Sequence, residues 1–499
     1  SGEEPICIDQ CSEDQACNAG ECVRAGFHAN FAALQGPFES GTEVTQACID
    51  CHPDSADQML DSPHWRWLGP TPNLERDPNQ VGEIGKQNLI NNFCVSVPGN
   101  EPRCAQCHAG YDYVDASYDF TDTSKMDCLV CHADPASGYQ KAPTTGGNPA
   151  DSVDLLLAAQ SVGVSASANC GSCHYNAGGG DRVKKGDLGW DLEVADRHAD
   201  VHMAAGLSCA DCHADSQHVL LGQGVHTPVT QGRLLCDDCH GEAPHENAML
   251  NNHALDIDCQ TCHIPAFSRN APTKTDWDWS TAGNRTIGND GIENGTLEDG
   301  TSVQVYNYKK GQFVWEKNVT PTYAWHNGQV AHMTLASSYP ADAGTVENPI
   351  VISEPRATYF DADAKIMPFK LMTGIQPAHL TERLLLAPDL FGPGGFWGGV
   401  PPAAEYTPEA VQQLWTDILT QGALLAGQLS EGETLASSDW DFVNTVMWMG
   451  INHEVAPADE ALGANNQCAD CHAPGAFPWT ELGYACDPIG DPQGCGSRN

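Results

Sequence analysis

The pentapeptide CxxCH occurs eight times in this chain: at 48–52 (CIDCH), 104–108 (CAQCH), 128–132 (CLVCH), 170–174 (CGSCH), 209–213 (CADCH), 236–240 (CDDCH), 259–263 (CQTCH) and 468–472 (CADCH). Chance could supply one such unit in 499 residues, but not eight. Structural zinc needs paired CxxC units converging on one metal, and gives no reason for a histidine after every pair. Covalent haem attachment needs that histidine each time, because two cysteines form thioethers to the vinyl groups and the adjacent imidazole binds iron. The attachment cysteines are then Cys48, Cys51, Cys104, Cys107, Cys128, Cys131, Cys170, Cys173, Cys209, Cys212, Cys236, Cys239, Cys259, Cys262, Cys468 and Cys471. The proximal ligands are His52, His108, His132, His174, His213, His240, His263 and His472.

Eight haems supply much of an apolar interior, so the polypeptide need not form large sheets or long bundles. A mean hydropathy of -0.36, with 49 Gly and 32 Pro, fits a loop-rich chain wrapped round cofactors. The expected fold is mainly α with extensive irregular loops, a multihaem c-type cytochrome fold organised round eight covalently bound haems. Four regions follow from the motif distribution: a cystine-rich extension (1–26), a core with seven motifs (27–270), a haem-free segment (271–455), and the eighth motif with a terminal cystine loop (456–499). The haem-free segment opens on a turn-rich insertion, DWDWSTAGNRTIGNDGIENGTLEDGT, followed by alternating strands in SVQVYNYKKGQFVWEK. Thr407 and Pro408 then read as the start of a helix through TPEAVQQLWTDILTQGALLAGQL. DWDFVNTVMWMGINHE reads as a second amphipathic helix that delivers His453.

The motifs use 16 of the 23 cysteines. Cys7, Cys11, Cys17 and Cys22 have the spacing of a small disulfide knot, Cys486 and Cys495 close a loop, and Cys94 is left over. Disulfides and CxxCH haem attachment both point outside the cytoplasm, periplasmic or extracellular, with a removed signal peptide. No run of about 18 apolar residues is present, so no transmembrane helix is expected. A net charge of -43 argues against nucleic acid and anionic membrane surfaces as partners. Carboxylate clusters such as DADCHADS are candidate Ca²⁺ ligands. Sequons at Asn284, Asn294 and Asn318 are expected to be unmodified.

Eight of the 20 histidines are proximal, which leaves 12 for second axial positions. These are His28, His64, His198, His202, His218, His226, His245, His253, His326, His332, His379 and His453. Lys141, nine residues after the third motif, is a further candidate in a chain poor in lysine.

The blocks HANFAALQGPFESGTEVTQACIDCH, SPHWRWLG, GKQNLINNFCVSVPGNEPRCAQCHAGY, DCLVCH, NCGSCHYNAGGGDRVKKGDL, DVHM, CQTCHIPAF, PTYAWHNG and GINHEVAP resemble those of the octahaem tetrathionate reductases. The resemblance spans roughly residues 27–475, linkers as well as motifs. It implies seven bis-histidine haems and one His/Lys haem, the second along the chain, which marks the active site. The matching lysine is Lys141, above the haem on Cys104 and Cys107 with His108 beneath. The matching distal histidines are His28, His64, His202, His218, His245, His253 and His453, with His198, His226, His326, His332 and His379 competing. Cys94 matches a family cysteine near that haem, so Lys141 and Cys94 are the implied catalytic residues. The chain departs from the family at Gln140, where a second lysine is often found. The implied activity is reduction of a small oxidised sulfur or nitrogen compound such as tetrathionate, nitrite or hydroxylamine, with electrons supplied by redox partner proteins. A rival reading is an extracellular conduit: a homo-oligomer or filament of cytochromes in which every haem is saturated and no substrate turns over.

Overall fold

The computed structural model describes residues 15–18, 21–24, 26–92, 96–193, 196–392, 394–462, 467–489 and 495, with backbone alone for 15–24 and 215–216. These fall into two compact units, each assembled from separate stretches of chain. One comprises 1–69, 97–174 and 208–221 and carries the first five motifs; the other comprises 70–96, 175–207 and 222–499 and carries the last three.

The five-motif unit is made of short helices. The longest, Gly41–Cys51, starts at Ser40, whose hydroxyl accepts the Glu43 amide at 3.3 Å. It ends on the first motif. The others, such as Leu129–His132 and Ser167–His174, last one or two turns and consist largely of motif residues. Helices this short are not stable alone; they are held by two small cores. One gathers Trp65, Trp67, Tyr113, Tyr118, Val97 and Met126, and the other Leu34, Val44, Leu129, Ala158 and Ala159. At the N-terminus, Gln15–Asn18 and Glu21–Arg24 pair antiparallel with Cys17 opposite Cys22. The side chains of the expected cystine knot lie outside the described residues.

The second unit contains a ten-stranded mixed sheet. Its strands are β1 (Thr273–Asp278), β2 (Ile292–Thr296), β3 (Ser302–Asn307), β4 (Gly311–Glu316), β5 (Thr322–His326), β6 (Val330–His332), β7 (Ile350–Pro355), β8 (Lys365–His379), β9 (Leu384–Leu385) and β10 (Trp440–Gly450). The spatial order is β6-β7-β10-β8-β1-β4-β3-β2, with β5 and β9 also pairing with β8. Neighbours are antiparallel except β7 with β10 and β8 with β1. The strands expected in SVQVYNYKKGQFVWEK are β3 and β4.

Two expectations are corrected here. The fold is not mainly α: helix takes 26% of residues and strand 19%. Haems do not replace a protein core in the haem-free segment, which buries its own tryptophans (Trp277, Trp279, Trp415 and Trp440) in one cluster. The second correction is DWDFVNTVMWMGINHE, which forms strand β10 and not a helix. β10 lies between β7 and β8, and pairs with β8 from His379↔Trp440 to Phe369↔Gly450. A strand buried on both faces loses the polar alternation that marks a strand in sequence. Val443, Thr445, Val446 and Trp448 then favour the pleated conformation.

The helix expected from Thr407 is present as Pro408–Leu425. Thr407 accepts the Ala410 amide at 3.1 Å, and Pro408 occupies the first turn. Val411, Trp415, Ile418, Leu419 and Ala423 recur at helical spacing and are buried against the sheet core. Gly422 permits the closest approach: a Cβ there would lie 2.1 Å from the Ala387 carbonyl oxygen. Among the described residues no helix is long and apolar enough to cross a membrane, and no carboxylate cluster forms a calcium cage.

Candidate functional site

Each CxxCH motif sits on a helical turn, so cysteines three apart share a face and the histidine follows at the next position. The histidine amide closes the turn on the first cysteine: His52 to Cys48 O at 2.8 Å, His132 to Cys128 O at 3.1 Å, and His240 to Cys236 O at 2.9 Å. The second motif is wound tighter, with His108 N bonded to Ala105 O at 3.1 Å in a 3₁₀ turn.

Six proximal histidines face another histidine ring. Centroid separations are 6.4 Å for His52 with His28, 6.1 Å for His174 with His64, and 6.3 Å for His132 with His218. They are 6.0 Å for His240 with His202, 6.0 Å for His263 with His245, and 6.1 Å for His472 with His253. Two imidazoles on opposite sides of one metal, each bonded at about 2 Å, place their centroids about 6 Å apart once the ring radius is added. The gaps therefore fit an iron, and all six distal partners are residues singled out in the sequence.

Hydrogen bonds at the other ring nitrogen agree. Nδ1 meets an acceptor in His132 (Gly163 O, 2.9 Å), His213 (Leu221 O, 2.8 Å), His218 (Gln58 Oε1, 3.0 Å), His245 (Asn251 Oδ1, 3.1 Å), His453 (Asp187 Oδ2, 3.1 Å) and His472 (Asp487 Oδ1, 2.7 Å). Such a bond fixes the tautomer and leaves Nε2 to bind metal. His379 shows the opposite pattern: its Nδ1 accepts the amides of Thr381 and Glu382 at 3.3 Å, so the neutral ring carries its proton on Nε2. His198 is exposed and its Nδ1 pairs with Glu460 at 2.7 Å. His326 and His332 are buried.

The attachment points are neighbours. The thiols of Cys48 and Cys128, Cys107 and Cys173, and Cys170 and Cys209 hydrogen-bond in the first unit, as do Cys236 and Cys259 in the second. Cys131 is also a neighbour of Cys173, and Cys262 of Cys471. Within each unit the motifs thus form a continuous series. Cys486 and Cys495 are joined in a disulfide, as their spacing suggested.

The chain is similar to known proteins. Residues 274–475 match the family model described as bacterial cytochrome c. An uncharacterized protein of Archaeoglobus fulgidus is 24% identical over 238 residues, covering 38% of this chain and 79% of that one. An octaheme cytochrome c from Shewanella oneidensis is 36% identical, with a TM-score of 0.78, over 93% of this chain and 98% of that one. The chain belongs to the octahaem cytochrome c family. As a member it binds haem covalently and transfers electrons.

In this cytochrome the second motif stands apart. Among the described residues, the rings packed on His108 are Trp65 (stacked at 5.3 Å), Trp67, Tyr113, Tyr118 and Phe120, and none of these is a histidine. Burial, then the Lys141 charge, hold the His108 imidazole down to about 3, and its Nε2 meets the Trp65 carbonyl. Lys141 is buried beside the motif backbone, donating to His108 O and, at 3.1 Å, to Gly110 O. Its third contact is Asp127 Oδ2 at 3.1 Å. Asp127 also accepts Tyr111 at 2.8 Å and Tyr139 at 2.9 Å. Burial, then the Asp127 charge, push both phenols well above their ordinary range, so they remain donors. The structure thus brings Lys141 to the second motif but does not set its amine opposite the His108 ring. Asp127, Tyr111 and Tyr139 escaped the sequence reading, although Asp127 immediately precedes the third motif. Cys94 lies outside the described residues.

Proposed function

We propose that this cytochrome carries eight haems outside the cytoplasm and reduces a small oxidised sulfur or nitrogen compound at the second one, on Cys104 and Cys107 with His108. The observation that carries this reading is the contrast between six ring-to-ring histidine pairs and a His108 bordered by aromatic rings and the buried Lys141 ammonium. Bound haem supplies the electrons. Lys141 attracts the oxyanion and, as an ammonium, offers it a proton. Asp127 holds Lys141 in place, while Tyr111 and Tyr139 fix Asp127. The Cys486–Cys495 disulfide fits an oxidising compartment.

The test is stopped-flow reoxidation of the fully reduced holoprotein, mixed anaerobically with tetrathionate, nitrite or hydroxylamine. Fast reoxidation that saturates with substrate is expected for at least one. No reoxidation by any of the three overturns the reading in favour of a conduit. Replacing His218 by alanine removes a proposed axial ligand. It is expected to move one haem in eight from low to high spin in electron paramagnetic resonance, with the other signals unchanged. If Cys94 holds the sulfur substrate as a thiolate, Cys94→Ala slows reoxidation by tetrathionate and leaves nitrite untouched. Equal loss with both would remove Cys94 from substrate binding.

A further inference from the structure

The eighth motif gives its histidine a charged acceptor. A ring that binds iron through Nε2 carries its proton on Nδ1 and presents it to a neighbour. For His132 and His213 that neighbour is a backbone carbonyl, Gly163 O at 2.9 Å and Leu221 O at 2.8 Å. For His472 it is a carboxylate: Nδ1 donates to Asp487 Oδ1 at 2.7 Å, and the two side chains are only 13% and 28% exposed. A hydrogen bond to an ionised acceptor is shorter and roughly twice as strong as one between neutral groups. The ring is also fixed by Trp479, which stacks on it at 5.5 Å and 14° and whose Nε1 donates to Cys471 O at 3.2 Å.

His453 meets a carboxylate as well, Asp187 Oδ2 at 3.1 Å, but that charge is shared. Lys185 Nζ lies 3.4 Å from Asp187, and the amides of Asn452 and His453 donate to it at 2.8 and 3.0 Å. Asp487 has no such counterweight. Among the described residues no lysine or arginine pairs with it, and its further contact is the Ile489 amide at 3.0 Å. Its negative charge is therefore directed at the His472 ring. Its place is set by the Cys486–Cys495 disulfide, whose Cα atoms are 4.9 Å apart. Cys495 is 1% exposed, its carbonyl accepts the Ala485 amide at 3.0 Å, and its sulfur lies 3.2 Å from Asp487 O. The disulfide thus ties the Asp487 backbone to a buried point.

We propose that Asp487 is a positioning residue that lowers the reduction potential of the haem on Cys468 and Cys471, and that the Cys486–Cys495 disulfide is the clasp that holds it against His472. The proposal deepens the eight-haem reading above and does not rest on the reductase activity. Its physical cause is donation. An anionic acceptor draws the Nδ1 proton away from the ring and leaves Nε2 more electron-rich, which favours ferric over ferrous iron. A carbonyl acceptor does so less. The eighth haem then gives up electrons more readily than a haem whose ring meets a carbonyl. Cys262 of the seventh motif is a neighbour of Cys471, so the haem on that motif is placed to take them.

The experiment is a redox titration of the holoprotein followed by electron paramagnetic resonance, with intact mass to count the haems. In Asp487→Asn one component of eight is expected to shift its oxidised-to-reduced ratio about tenfold towards the reduced form at a fixed potential, an upward shift of about 59 mV, and to change its g values. Cys486→Ser combined with Cys495→Ser is expected to move the same component in the same direction. Asp470→Asn is the control. Asp470, whose Oδ2 accepts the Gln467 amide at 3.1 Å, acts on Cys471 ahead of Asp487. Its replacement removes an equal charge and leaves the His472–Asp487 bond in place. Eight haems with no upward shift in Asp487→Asn overturns the proposal. So does an equal shift in Asp470→Asn, because the cause would then be charge acting through space. An unchanged component in the double serine variant overturns the clasp; if that variant does not mature, Asp487→Asn decides alone. Fewer than eight haems in the wild type would overturn the eight-haem reading itself, so the two failures are told apart by mass.

Discussion

Lys141→Ala is expected to slow substrate-driven reoxidation of the reduced cytochrome by about 10²- to 10³-fold, the usual loss when one preorganised donor to a developing anion is removed. On the proposed ligation, the low-spin signals of haems held between the six histidine pairs should not change, because none of those rings touches Lys141. The size of the effect follows from placement. The Lys141 ammonium is buried and held in place by Asp127 at 3.1 Å and Gly110 O at 3.1 Å, and it meets an anion by releasing one of these contacts. Lys141→Arg separates two roles. Arginine keeps the charge but binds no iron and fits a different geometry. Substantial activity in Lys141→Arg would mean that charge at this position matters, not an amine ligand. Loss equal to that of alanine would mean the amine itself is needed. Reoxidation at the wild-type rate in both variants would exclude Lys141 from the chemistry.

The parts of this protein fixed by consecutive residues were legible in its sequence. CxxCH is legible because thioether chemistry and the iron bond need cysteine and histidine at set offsets. Thr407 and Pro408 are legible because a helix start is decided within one turn. Distal ligands are different. Nothing local distinguishes His218, which faces His132 at 6.3 Å, from His379, whose Nδ1 is taken by two backbone amides. Family resemblance chose between them. β10 was misread because Phe442, Val443, Val446, Met447 and Met449 suit a helix face and a doubly buried strand equally well. Only its neighbours β7 and β8 decide.

The largest stability loss is expected from Arg182→Ala. Arg182 is fully buried, and its guanidinium holds three acceptors: Gly186 O at 2.6 Å, Glu454 and Asp191. Glu454 is 1% exposed, so removing the arginine leaves a buried carboxylate held by the Arg269 amide at 3.4 Å and the Arg269 guanidinium at 3.9 Å. Breaking one side of a buried ion pair costs about 3–5 kcal/mol, most of it from the stranded partner. The paired change Arg182→Met with Glu454→Gln should therefore cost less than Arg182→Ala alone. Guanidinium unfolding of the holoprotein, followed by intrinsic fluorescence and haem absorbance, measures both. The two probes carry the functional point. Glu454 follows His453, whose ring is oriented by Asp187, so loss of Arg182 loosens the segment that bears a candidate iron ligand. Haem absorbance is expected to change at lower denaturant than fluorescence in Arg182→Ala, and together with it in the wild type. If the double variant is as unstable as Arg182→Ala, the cost lies in packing around the guanidinium, such as its contact with Gly189, and not in a stranded charge.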